Sequence, residues 1–220
     1  LDSFINANNS CTRTVFFETW GRKYGDAQNC GMYPPVCTFP GMQQRLKESY
    51  KIFADTCDGI ISPVGEAYKL SRQLDSTINL YQSDFSHPSL EGSYLAACVF
   101  YQIFTHKNVL GNTFWGGLTQ NTAVFLQNVA YSAFRDSLIV WNIGLNEPWA
   151  DFTWQETSPL FIQCTNISSG NYSHIWDFGD GFQAFTQNPS HLYAQAMYWP
   201  MYHIVYDGCT TDSFNLVNNI

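Results

Sequence analysis

The residues best placed to do chemistry are Asp84 and His87, in the stretch Asp84-Phe85-Ser86-His87-Pro88-Ser89. A carboxylate three positions before an imidazole can reach its ring when both lie in one turn. That is the supporting pair of a serine hydrolase: the imidazole takes a hydroxyl proton and the carboxylate holds it in the right tautomer. Pro88 fixes the turn, and Ser89 can cap the helix that the following apolar run predicts. The same spacing also fits a plain helix cap with a surface histidine, and spacing alone leaves both open. Ser86, Ser89 and Ser93 lie too close in sequence to His87 to be its nucleophile.

Strands and helices must position this turn. Residues 12–20 read as a buried strand, and Asp58-Gly59-Ile60-Ile61-Ser62-Pro63-Val64-Gly65 contains a second. A helical period runs from Met42 through Leu46, Tyr50 and Phe53, and further helices are predicted at 66–75, 89–105 and 121–136. Strands alternating with helices imply a parallel sheet covered on both faces. Ligands of such sheets bind beyond the carboxyl ends of the strands, which singles out Glu18, Trp20 and Arg22 as pocket residues. Trp20 could stack on a sugar ring and Arg22 grip a polar substituent; Trp20 reads equally as core and Arg22 as a surface ion pair. After Trp141 the texture changes to short alternating segments rich in Thr, Ser, Tyr and Phe, which predicts an all-β sandwich.

Composition limits the function classes. The 220 residues carry 10 basic and 18 acidic side chains, a net charge of −8, with 17% aromatics. No basic cluster exceeds Arg22-Lys23, so no nucleic-acid partner is expected, and no apolar run approaches the ~20 residues of a membrane span. Neutral substrates such as carbohydrate suit this surface better. Seven cysteines point to an oxidising compartment. Cys30 and Cys37 flank a turn-rich loop; Cys11 and Cys57 each precede a strand and are expected to pair; Cys164 and Cys209 are expected to bridge the sandwich. Cys98, in an apolar helical run, is expected to be buried and free. Without any C-x-x-C no zinc site is expected, and no cofactor is implied. Asn8, Asn166 and Asn171 in N-x-S sequons, with Ser137, are glycan candidates.

The block Asp84 to Tyr101 resembles the last motif of the SGNH (GDSL-like) hydrolases, in which D-x-x-H-P carries the triad Asp and His. Upstream, Val15 to Lys23, Gly59 to Tyr68 and Gly92 to Ala97 follow the order of a secreted bacterial branch of that superfamily, over roughly residues 1–140. The resemblance implies a flavodoxin-like parallel sheet with flanking helices, present here in part over 1–142, and Asp84 and His87 as the triad pair. It places the nucleophilic serine and the oxyanion-hole Gly and Asn in blocks before Leu1; Tyr24-Gly25-Asp26-Ala27 is a loop and not a nucleophile block. Leu1 to Asn8 reads as the end of a helix already under way. A missing N-terminal portion or a second chain is therefore expected to complete the sheet.

Trp176-Asp177-Phe178-Gly179-Asp180-Gly181, followed by Asn188-Pro189-Ser190-His191-Leu192-Tyr193, resembles the PKD domain, an immunoglobulin-like sandwich. That assigns 153–220 to a PKD-like unit after a linker at 143–152, with Asp180 and His191 in a structural hydrogen bond. The departure at Ala194 to Tyr202, where the family has Gly-x-Tyr, touches the local turn. The expectation is a secreted or cell-surface esterase acting on acyl, for instance acetyl, esters of carbohydrate. The alternative is a non-catalytic extracellular structural or adhesive protein of the same two parts.

Overall fold

Two short runs of β-branched and aromatic residues, Val15–Phe17 (β1) and Ile60–Ser62 (β2), pair in parallel with Val15 opposite Ile60 and Phe17 opposite Ser62. In the computed structural model, which describes residues 1–135, 138–168 and 172–219, these two strands form the only parallel sheet among the described residues. The chain divides into two units: Arg13–Asn142, and Leu1–Thr12 with Ile143–Ile220. The first is mixed α/β. A short helix, Asp2–Asn8 (α1), belongs to the second.

In the α/β unit a parallel pair needs a crossover, here Phe39–Thr56 (α2), capped by the Thr38 hydroxyl, which accepts from Gly41 N. Phe39, Gln43 and Ala54 form its buried face, whereas Phe53, read as part of the apolar period, is exposed. Val64–Leu74 (α3) follows β2 directly after Pro63. Leu90–Thr105 (α4) and Gln120–Arg135 (α5) complete the unit. Their inward faces meet around Tyr68, Leu95, Val99, Leu126 and Ala130, all fully buried. Burying such side chains is worth about 1.5–3 kcal/mol each, and this cluster seats the segment that precedes α4, through Leu80 and Tyr81.

The other unit is built from two antiparallel sheets. Phe152–Ser158 (β3), Phe161–Asn166 (β4), Ser173–Asp177 (β5), Gln183–Ala184 (β6), Ser190–Leu192 (β7), Tyr198–Tyr206 (β8) and Thr211–Asn219 (β9) assemble in the orders β3-β4-β7 and β6-β5-β8-β9. Both sheets contribute to one core of Phe152, Ile162, Cys164, Trp176, Phe178 and Met201. Trp176 and Phe178 both point inward, and Gly179 and Gly181 take φ of 82° and 95° in the turn toward β6. The polar tips of the core aromatics are satisfied: Trp176 Nε1 donates to Thr186 O at 2.9 Å and the Tyr193 hydroxyl to Phe178 O at 3.1 Å. His191 Nε2 and Asp180 Oδ2 are 2.7 Å apart in a hydrogen bond.

The cysteine pairing differs from expectation. Cys30 bonds Cys37, but Cys11 bonds Cys209, across 198 residues, and Cys57, Cys98 and Cys164 are free thiols. Cys57 ends α2 as its C-cap in the α/β unit, while Cys11 lies in the segment grouped with the β unit. Cys164 points into the core of the β unit, whereas Cys209 sits in the turn between β8 and β9. Similar positions along sequence therefore did not become neighbours in space.

Cys11→Ser and Cys209→Ser should each lower the stability of the β unit by about 2–5 kcal/mol, and the double variant should be no worse than either single. Cys57→Ser should leave the transition unchanged. Calorimetric melts of the four proteins check this.

Candidate functional site

The turn before α4 is held by one carboxylate. Asp84 Oδ1 accepts the backbone amides of Ser86 and His87, each at 3.0 Å, an Asx-type turn that an aspartate forms with its own next residues. Phe85 takes a φ of 60° inside it. Asp84 Oδ2 hydrogen-bonds His87 Nδ1. With Nδ1 donating, Nε2 is the unprotonated acceptor nitrogen. The hydrogen bond from His87, then the amides of Ser86 and His87, hold the Asp84 carboxyl down at about 2. The pair is open to solvent: the His87 side chain is 74% exposed and that of Asp84 46%.

The frame around the turn is closed by further hydrogen bonds. Gln82 N donates to His87 O at 2.9 Å, and Ser89 N to Leu80 O at 3.0 Å. The Ser89 hydroxyl accepts from Gly92 N, capping α4, and donates to Asn79 O. The Ser93 hydroxyl donates to Ser89 O at 2.8 Å. Both hydroxyls are thus committed to backbone. Among the described residues nothing hydrogen-bonds His87 Nε2. Gly92 has a packing reason, since a Cβ there would overlap the Tyr68 hydroxyl and the Leu80 carbonyl oxygen.

Of the three pocket residues, Trp20 is the one tied to the turn. Its indole Nε1 donates to Ser86 O at 3.0 Å and its ring stacks on Tyr68, centroids 4.4 Å apart. The half-buried ring is thus occupied by packing and orients the His87 loop. Arg22 Nη1 pairs with Asp26 Oδ1 at 3.3 Å, the ion-pair reading of that residue. Asp26 in turn accepts from Gln28 N and from the Asn29 amide, so the Gly25-Asp26 stretch is a structured loop.

Glu18 is fully buried at the end of β1. Its Oε1 accepts from Gln43 Nε2 at 2.7 Å, and Oε2 has no hydrogen-bond partner among the described residues. Gln43 Oε1 accepts Gly21 N at 2.9 Å, which links the buried acid to the strand-end turn carrying Trp20. Sequence reasoning missed Gln43 and Tyr68, because nothing local distinguishes a buried glutamine or tyrosine from an exposed one. Clefts of about 200 Å³, lined by Lys47, Glu66 and Trp141, and about 140 Å³, lined by Tyr94, Cys98 and Phe114, border neither Asp84 nor His87. Among the described residues no group of three or more His, Cys, Asp or Glu could hold a metal ion. Asn8, a glycan candidate, is exposed, with its Nδ2 on Phe4 O, and Asn166 ends β4 half-buried; Asn171 and Ser137 lie outside the described residues.

A solved DUF4886 family protein from Bacteroides uniformis superposes with a TM-score of 0.50. The identity is 23%, over 56% of this chain and 48% of that protein, so the chain spans about half its length. That likeness speaks for fold alone. PKD1 domains of Vibrio anguillarum Epp and of the Vibrio cholerae metalloprotease PrtV are each 26% identical, over 33% and 32% of this chain and 92% and 93% of those domains. Their TM-scores of 0.31 are too slight to define a fold. No protein-family model and no curated protein matches the chain.

Burial, and then the charge of Glu66, push the Glu18 carboxyl up to about 8, against the opposing effects of Lys47 and the Gln43 bond. The folded state therefore holds this proton more tightly than the unfolded chain. Its stabilising contribution is complete below the ordinary value of 4.5 and is lost as pH rises through about 8. Glu18→Gln, which keeps the acceptor for Gln43, should raise the melting temperature at pH 8–9 and change it little near the ordinary pKa. Melts across that range test it. Gly92→Ala should destabilise by about 1–3 kcal/mol through overpacking, read by chemical denaturation.

Proposed function

We propose that this chain carries the Asp–His pair of a secreted SGNH-type serine esterase that acts on acyl, most simply acetyl, esters of carbohydrate. The observation that supports this reading is the His87 imidazole, bonded through Nδ1 to a carboxylate that is itself fastened to the turn, with Nε2 free. A surface histidine with no task beyond the helix cap has no need of that restraint, since Ser89 already caps α4. In the proposed mechanism Nε2 takes the proton of a serine hydroxyl as the serine attacks the ester carbonyl. It then returns the proton to the departing sugar oxygen, while Asp84 stabilises the imidazolium. A water repeats the cycle to release the acid and restore the serine.

The nucleophile is supplied by polypeptide outside these 220 residues, which would add further parallel strands to the two-stranded sheet. The commitment of the Ser89 and Ser93 hydroxyls to backbone supports this. Two disulfides support an extracellular setting, and among the described residues no helix is long and apolar enough to cross a membrane. The C-terminal unit is read as a PKD-type sandwich. A second reading, a non-catalytic extracellular structural or adhesive protein, draws on the same exposed ring: at 74% exposure the dyad lacks the water-excluding walls that ester hydrolysis uses.

A fluorophosphonate probe should label the full-length polypeptide that contains this sequence, with hydrolysis of p-nitrophenyl acetate as the companion assay. His87→Ala should abolish both, and Asp84→Asn should lower turnover by about 10³–10⁴-fold. Absence of labelling in the native full-length protein would favour the structural reading.

A further inference from the structure

We propose that the outer face of the four-stranded sheet in the β unit is a binding face for a neutral polysaccharide chain. β8, one of the two inner strands, carries it. Met201, His203 and Val205 point inward and are buried, while Tyr198, Tyr202 and Tyr206 point outward and are 69%, 42% and 43% exposed. Residues four apart on a strand share a face and stand roughly 13 Å apart at ~3.3 Å per residue. That spacing exceeds one hexose ring, so successive tyrosines meet different rings of an extended chain and not a single monosaccharide.

The neighbours of these rings are hydrogen-bonding groups of the kind sugar hydroxyls use. In register, Tyr202 lies between Asn215 of β9 and Asp177 of β5, and Tyr206 between Thr211 and Ser173. Between the tyrosines, Ile204 has Ser213 on one side, and Pro200 pairs with the exposed Val217. Thr211, Ser213 and Asn215 are all exposed. Among the described residues the Tyr198 and Tyr202 hydroxyls have no hydrogen-bond partner, whereas that of Tyr206 donates to Gly208 O. An aromatic face with its polar edge free is suited to stacking against the C–H face of a pyranose while bonding its hydroxyls.

Charge selects the class of polymer. β5, β6, β8 and β9 contain no lysine or arginine, and the face bears Asp177 in a chain of net charge −8. Nucleic acid and acidic glycans find no cation there. A neutral chain needs none, because stacking and hydroxyl bonding carry the contact. An exposed aromatic patch of this kind marks an interaction surface, and the free tyrosine hydroxyls with Asp177, Asn215, Ser213 and Thr211 beside them offer a sugar chain polar partners that the apolar centre of a protein interface does not use.

The test is native gel electrophoresis of the whole protein through gels containing hydroxyethylcellulose, xylan or galactomannan, with sedimentation of the free protein alongside. At least one polymer should retard the protein, independently of added salt. Tyr202→Ala and Tyr198→Ala should each weaken retardation roughly tenfold, the scale of one lost aromatic stacking contact. Leu192→Ala, on the other sheet, should leave it unchanged, and all three variants should melt like the parent. Retardation by none of the three polymers would overturn the proposal, as would retardation that survives the double tyrosine variant or vanishes with salt. Tyrosine-dependent self-association would also overturn it, since a second copy would then cover the face. Binding is read without turnover, so failure of the esterase reading leaves this result standing and the reverse.

Discussion

The candidate site is organised around the two oxygens of Asp84. One oxygen closes the turn by accepting two backbone amides, and the other holds the His87 ring. A carboxylate with three hydrogen-bond donors stays ionised and does not wander. The rest of the unit supplies what this turn lacks on its own. Trp20 ties Ser86 to the β1 end, Leu80 receives the Ser89 amide, and Gly92 lets α4 approach Tyr68 and the Leu80 carbonyl. Each of these contacts reaches across at least nine residues of sequence, so the geometry of a four-residue motif is maintained by nonlocal packing.

Buried polarity runs beneath that frame. Glu18 lies one residue beyond β1 with a free oxygen in the interior, and its bonded partner Gln43 also receives the Gly21 amide. An acid in such a place costs stability when charged, and here the cost is lessened by protonation and by Lys47. The arrangement binds the strand-end turn to α2 through a side chain that gains nothing from exposure to substrate. Glu18 thus acts on the site by fixing the stretch that leads to Trp20, two residues on.

The parts legible in sequence were those whose signal is local. Ser89 before an apolar run announced α4, and the short alternating segments after Trp141 announced an all-β unit. The spacing of Asp84 and His87 was short enough to predict their contact. What failed was whatever depended on distant partners. Cys11 was expected beside Cys57 because both precede a strand, yet the segment that holds Cys11 belongs with β9. Phe53 fitted a helical period that described α2 correctly but not its buried face, which Gln43 occupies. Trp20 was legible as an aromatic at a strand end, while its role as a tether emerged only from Ser86, 66 residues away.

The β unit applies one alternation to opposite ends. Along β8 the inward residues include His203, which stacks on Trp176 with centroids 3.8 Å apart and lies 3.1 Å from His174 through its Nε2. Burial, and then the nearby His174, hold that imidazole down at about 4, so it is neutral at ordinary pH and behaves as another flat core ring. The outward residues of the same strand include three tyrosines, which keep a polar edge in water. A strand needs only one apolar face to pack, and the composition of the other is free to vary without cost to the core. Serine, threonine or lysine would have served solubility there equally well, so large aromatics set among amides and hydroxyls are a choice that folding does not require. The same logic applies at Asp84 and His87, where Ser89 alone would have sufficed to begin a helix. In both units, function is best sought where the sequence supplies more chemistry than the fold consumes.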